Sequence, residues 1–107
     1  MLKIYPVLLD LIRSLRGRLQ ELERHDYDLA RQCRRALSSV ALNLAEGAYS
    51  RGRNRGARFQ TALGSLREVQ ACFEVAEALG YSRELEPELL ARFNQIVGTL
   101  VRLVCGR

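Results

Sequence analysis

The chain has 107 residues, 48% of them hydrophobic, and a formal net charge of +5. That length holds one core rather than two, and that hydrophobic fraction excludes a wholly disordered chain. The longest uncharged run, residues 36–45, contains Ser38, Ser39 and Asn43 and is too short to span a bilayer; with no apolar signal core after Met1, the expectation is a cytoplasmic protein.

The first helix is predicted from about Pro6 to about Glu23, with proline tolerated in the first turn because the N–H groups there have no partner. Ile4, Leu8, Leu11, Leu15, Leu19 and Leu22 recur at steps of four and three, a seam suited to an antiparallel bundle. Gly17 interrupts good helix propensity and is read as a close helix crossing. Arg24, His25 and Asp26 are read as the connection. The second helix then starts near Asp26, whose carboxylate can cap free N–H groups, and continues through Leu29, Cys33, Leu37, Val40 and Leu44 to about Glu46. Gly47 is expected to close it in a left-handed conformation.

A basic turn follows, and the third helix is predicted from about Arg55, capped by Asn54, to Leu79. Its stripe is Phe59, Leu63, Leu66, Val69 or Gln70, Phe73 and Ala76. Gly64 and Ser65 sit beside that stripe, where small residues let a neighbouring helix approach. Glu68 is expected to pair with Asn43 or a serine of the second helix. Gly80 ends the helix. Pro87 sets the start of the fourth near Glu86. There Leu89, Leu90, Phe93, Ile96, Val97, Leu100, Val101 and Val104 make a stripe wide enough to be buried on two sides, one of them against another subunit. No alternating β pattern competes. The sum is an all-α, antiparallel up-down-up-down four-helix bundle in a single domain, residues 1–107.

Charge is unevenly placed. Residues 31–58 hold seven arginines (31, 34, 35, 51, 53, 55 and 58) and one acid, Glu46, a net +6. The remaining ten basic and eleven acidic residues come to −1. In an up-down bundle the 47–55 turn lies at the end that carries both termini. Arg31, Arg34 and Arg35 then lie well away from it, so the two clusters are expected to be separate contacts along the bundle or parts of a larger oligomeric surface. Every basic residue but Lys3 is arginine, whose planar fork suits phosphate.

Leu42-Asn43-Leu44-Ala45-Glu46-Gly47, the basic turn, Phe59, Ala62-Leu63-Gly64-Ser65-Leu66-Arg67-Glu68 and Ala78-Leu79-Gly80-Tyr81 follow a recognisable order. The chain resembles the bacterial four-helix-bundle family named for proteins encoded in intervening sequences of 23S ribosomal RNA genes. That family also includes accessory variability proteins of diversity-generating retroelements. The resemblance covers almost the whole chain. It implies a bundle assembled as a homopentameric ring or barrel with a basic surface; in retroelement members it implies binding to nucleic acid and a reverse transcriptase. The family usually has a proline shortly before the asparagine; here Ser38-Ser39-Val40-Ala41-Leu42 lacks one. The motif residues Asn43, Glu46, Gly47, Gly64, Ser65, Glu68, Gly80 and Tyr81 read as structural, with Asn43 as helix-packing glue.

Three function classes are open to such a chain. The preferred one is a non-enzymatic nucleic-acid-binding module in which Arg51, Arg53, Arg55, Arg58, Arg31, Arg34 and Arg35 contact phosphates. Of the four tyrosines only Tyr49 adjoins the basic turn, so phosphate and shape recognition is expected to outweigh base stacking. The alternative is a scaffold that docks an acidic protein, with nucleic acid incidental. An enzyme is disfavoured: the single histidine, His25, reads as a solvated loop or helix-end residue without the partners a di-iron bundle requires, and Glu46 and Glu68 have no nucleophile, phosphate loop or cofactor motif beside them. No catalytic residue, metal site or cofactor is predicted. Cys33, Cys72 and Cys105 are odd in number and widely spaced, and read as buried, inert thiols.

Overall fold

A computed structural model describes residues 2–106. Four helices account for nearly all of them: α1 (Ile4–His25), α2 (Tyr27–Tyr49), α3 (Gly52–Ala78) and α4 (Pro87–Cys105), with no strand among the described residues. Each helix packs on its neighbours in sequence and α4 closes on α1, giving an up-down-up-down arrangement 43 Å long.

The helices run further than the sequence suggests because the connections are shorter. Arg24 and His25 remain helical, so only Asp26 joins α1 to α2. Its extended backbone (φ −154°, ψ 96°) turns the chain, and its carboxylate accepts the Leu29 N–H at 3.0 Å, the cap expected of it. His25 stacks on Tyr81, ring centroids 5.3 Å apart. Ser50 and Arg51 alone join α2 to α3. Asn54 is therefore not the cap of α3 but lies inside its first turn, donating to Ser50 Oγ at 3.0 Å; the capping position is Arg51, which makes no side-chain capping bond. Gly80 closes α3 as expected: its φ is +80°, its N–H reaches Glu77 O and the Tyr81 N–H reaches Ala76 O, the paired bonds of a Schellman ending.

All six seam residues of α1 are buried, as are Cys33, Leu37, Val40 and Leu44 of α2. Phe59, Leu66, Val69 and Phe73 of α3 and Phe93, Ile96 and Leu100 of α4 complete the core. Leu22, Ala30 and Ala76 form a smaller cluster at the end where α1 meets α2 and α3 ends. Within one chain Leu89, Val97 and Val104 of α4 flank the core and Leu90 is 45% exposed.

Gly47 does not close α2. It is buried within the helix, and the positive-φ glycines among the described residues are Gly52 and Gly80. A Cβ on Gly47 would lie 2.5 Å from Phe59 Cε1, so glycine is required by the close approach of a fully buried ring. Gly64 and Gly17 are the reverse. Both are exposed, and a Cβ on either meets nothing within 4 Å, so neither marks a close crossing. Glu68 is likewise exposed rather than buried against Asn43. Ser65, not Glu68, makes the serine contact with α2, Ser39 Oγ to Ser65 Oγ at 2.7 Å.

One buried charge was not anticipated. Arg18 on α1 reaches the 79–86 connection, donating to Ser82 Oγ (2.9 Å), Arg83 O (2.8 Å), Glu84 O (2.7 Å) and Glu86 Oε1 (3.0 Å). It thereby answers carbonyls of a non-helical segment that lie out of reach of backbone partners. Glu86 is held below the usual carboxylate range by its own backbone N–H and then by the Arg18 guanidinium.

Gly47→Ala should destabilise the protein by about 1–3 kcal/mol through overpacking against Phe59, outweighing the ~1 kcal/mol that alanine gains in helix propensity. Gly64→Ala, with open space above it, should stabilise by up to about 1 kcal/mol. Urea midpoints measure both, and equal shifts of one sign would refute the distinction. Arg18→Ala should cost about 2–4 kcal/mol by unpairing the loop carbonyls and Glu86. Because the Glu86 pKa is depressed on folding, its contribution is present above pH 4.5 and lost as pH falls through the lower folded value, so Glu86→Gln should flatten that part of the acid-stability profile.

Candidate functional site

The sequence separates two arginine clusters; the structure joins part of them. α2 descends from Arg31 as α3 ascends from Arg51, and Arg58 comes level with Asn43 and Glu46. Arg31, Arg34, Arg35 and Arg58 thus line one open groove of about 520 Å³, with Ser38, Ser39, Leu42, Asn43 and Glu46 between them. From Arg31 to Glu46 it follows α2 for roughly 22 Å.

The family motif residues position the wall of this groove. Asn43 donates from Nδ2 to Ser39 O at 2.9 Å and accepts from Arg58 Nη1 at 3.3 Å, and Glu46 meets the same Arg58 nitrogen at 3.4 Å. Arg58 is thereby aimed along α2 instead of into solvent. Asn43 acts as the interhelical glue expected of it, and Glu46 sits opposite Arg58, not Glu68. Arg34 pairs with Glu23 at 3.1 Å and Arg31 with Asp28 at 3.6 Å. These pairs are exposed enough to be weak, so a stronger anion can replace the carboxylate.

The turn arginines divide. Arg55 is committed to the fold: its Nη1 donates to Gly47 O at 3.0 Å and Ala48 O at 3.4 Å, and its guanidinium lies 4.8 Å from the centre of the Phe59 ring. A cation there is favoured by the carbonyls of the last turn of α2 and by the negative end of its dipole. Arg51 and Arg53 are exposed and point no donor at a carboxylate in any ion pair of the described residues. They flank the N-terminus of α3, whose first turn holds no acid. The helix dipole there favours an anion, so dipole and arginines act on the same incoming charge.

Two features escaped the sequence reading. Tyr27, Leu42 and Tyr49 are the most exposed large hydrophobic residues, and all three belong to α2. Seven-residue spacing of Arg35, Leu42 and Tyr49 was the available signal. Second, Cys33 and Cys72, 39 positions apart, face each other across α2 and α3, and their mutual hydrogen bond and burial push the Cys33 thiol up. Cys105 departs from the expectation of burial: it is exposed. Among the described residues no group of three or more His, Cys, Asp or Glu is arranged to hold a metal ion, and no helix is long and apolar enough to cross a membrane.

Burial keeps a reagent from Cys33 and Cys72, whereas Cys105 is exposed, so the native protein should release about one equivalent of chromophore rapidly from a disulfide reagent, from Cys105, and the other two only on unfolding. Rapid reaction of all three would show that the α2–α3 interface opens in the native state.

No curated protein and no solved structure matches the chain. The model of the family described as 23S rRNA-intervening sequence protein matches residues 6–102. With nearly its whole length matched, this chain belongs to the 23S rRNA-intervening sequence protein family.

Proposed function

We propose that the chain is a non-enzymatic nucleic-acid-binding protein whose arginines grip phosphates. The observation that carries this reading is the groove along α2 and Arg58 of α3, where four guanidiniums stand together, three of them ion-paired only to exposed carboxylates and Arg35 in no ion pair among the described residues. Arginines so placed repel one another and gain little from their exposed carboxylate partners. A polyanion offsets that repulsion and releases its own counterions on binding. Arg51 and Arg53, beside the positive end of α3, extend the same field past the end of the groove. Arg55 is left out of the contact set because it is engaged on the carbonyls of α2.

Membership of a family that is not a known enzyme family agrees with this reading. The proposal extends to self-association as the homopentamer that the resemblance implies, which would repeat the groove five times and add weak contacts as avidity. It extends also to service as an accessory factor for a reverse transcriptase, the partner the resemblance suggests.

The test is filter binding of RNA and DNA across a salt series, with Arg35→Ala, Arg51→Ala and Arg53→Ala combined. These exposed positions leave the core intact. The triple variant should bind every sequence more weakly and lower the slope of log affinity against log salt by about 2–3. The same samples, sized by light scattering, should show a mass near five times 12.1 kDa. Salt-independent binding, or an unchanged slope, would remove these arginines from the interface; a monomer mass would remove the ring.

A further inference from the structure

The sequence places Tyr27 far from the basic turn, yet in the structure it stands on the same helix as the groove arginines. Exposure is 61% for Tyr27, 63% for Leu42 and 75% for Tyr49. At 100° per residue, Arg31, Arg35, Leu42 and Tyr49 fall within about 40° of one another around the α2 axis, and Tyr27 flanks them. The outer column of α2 therefore interleaves arginines with apolar side chains over roughly 33 Å. Nothing in the fold accounts for the rings. Tyr5 packs against the core and Tyr81 stacks on His25, whereas Tyr27 and Tyr49 belong to neither core cluster.

We infer that the nucleic acid held by the arginine face is single-stranded, its bases lying against Tyr49, Leu42 and Tyr27 while Arg31, Arg35 and Arg58 hold its phosphates. The inference rests on the nucleic-acid reading above and adds the strand state and the base contacts to it. A duplex buries its base faces in its own stack and shows a protein phosphates and groove edges. An exposed tyrosine ring gains little from either. A single strand offers open π faces, and stacking on them is tolerant of sequence. Along this face Arg31 and Arg35 stand between apolar side chains, Tyr27 on one side and Leu42 and Tyr49 on the other, which suits a strand that presents phosphates and open bases together. Leu42, midway between Arg35 and Tyr49, gives a base an apolar surface without a stacking partner of its own.

The experiment is fluorescence anisotropy with a labelled 20-nucleotide RNA, the DNA strand of the same sequence, and that DNA annealed to its complement. Wild-type protein should bind both single strands at least about tenfold tighter than the duplex, as stacking energies allow. Tyr49→Ala should lose about tenfold on single strands, with the duplex and the salt slope unchanged, and Tyr49→Phe should keep the affinity. With no tryptophan in the chain, tyrosine emission can be followed directly and should be quenched by a single strand. A preference for RNA over DNA would add a 2′-hydroxyl contact, and equal binding would restrict the contacts to backbone and base faces.

Equal or tighter binding of the duplex would overturn the inference. So would single-strand affinity that survives Tyr49→Ala, Tyr27→Ala and Leu42→Ala while Arg35→Ala weakens it; in that case the phosphate reading stands and the stacking does not. If these substitutions change the mass in light scattering and not the affinity, the apolar column serves contact between copies and the inference falls. If neither the arginine nor the apolar variants alter binding, the phosphate reading falls as well.

Discussion

Gly47 and Phe59 meet where α2 ends and α3 begins, and the geometry of the rest follows from that contact. The Phe59 ring lies so close to α2 that a Cβ at the facing position would collide with it. With the ring seated, α3 is fixed in register against α2. Arg55, one turn before Phe59, then lies over the ring and reaches the last carbonyls of α2. Arg58, adjacent to the ring in sequence, comes to face Asn43 and Glu46. Packing, capping and the placement of surface charge are thus set by one steric fit. The order Asn43, Glu46, Gly47 and later Phe59 records it in the sequence.

The opposite end of the bundle is secured differently. Apolar burial there is modest, limited to Leu22, Ala30 and Ala76 with partly buried neighbours. Irregular backbone between α3 and α4 leaves carbonyls that water or a side chain must satisfy. Arg18 does so from α1, and its planar fork supplies donors to several acceptors at once, which a lysine would not. The two ends therefore use arginine in the same way, as a donor to backbone carbonyls, once on a helix terminus and once on a loop. That use has to be subtracted before the remaining arginines are read as a surface for a ligand.

Most of the fold was legible because it depends on periodicity. The α1 seam, the Asp26 cap, the Gly80 ending and the start of α4 near Pro87 are local features, each readable from a few residues. What was not legible depended on where a side chain finds its partner. Gly47, Gly64 and Gly17 look alike in sequence; only the neighbouring helix decides that the first is indispensable and the other two are not. Asn54 resembles a cap, but two residues suffice for the turn, so it falls inside the helix. Glu68 and Ser65 sit three positions apart, and a modest rotation of α3 decides that the serine faces inward. The arginines were correctly seen as clustered. Arg58 alone changes company, because antiparallel helices bring it back along α2 beside Arg31, Arg34 and Arg35, while Arg55 looks available until its carbonyl partners are known. Exposed tyrosines were the hardest to see, since the sequence gives an aromatic residue no sign of whether it packs inward.

The connection of α2 to α3 through Ser50 and Arg51 alone has a consequence for how the groove arises. Every side chain that lines it comes from residues 31–58, a short and uninterrupted part of the chain. Pairing these segments closes a two-residue loop, so little loop entropy opposes it. Contacts so close in sequence belong to the fast class of folding events. During synthesis this hairpin emerges from the ribosome before α4 does. The charged face can take shape on a nascent chain, ahead of the last helix that completes the core.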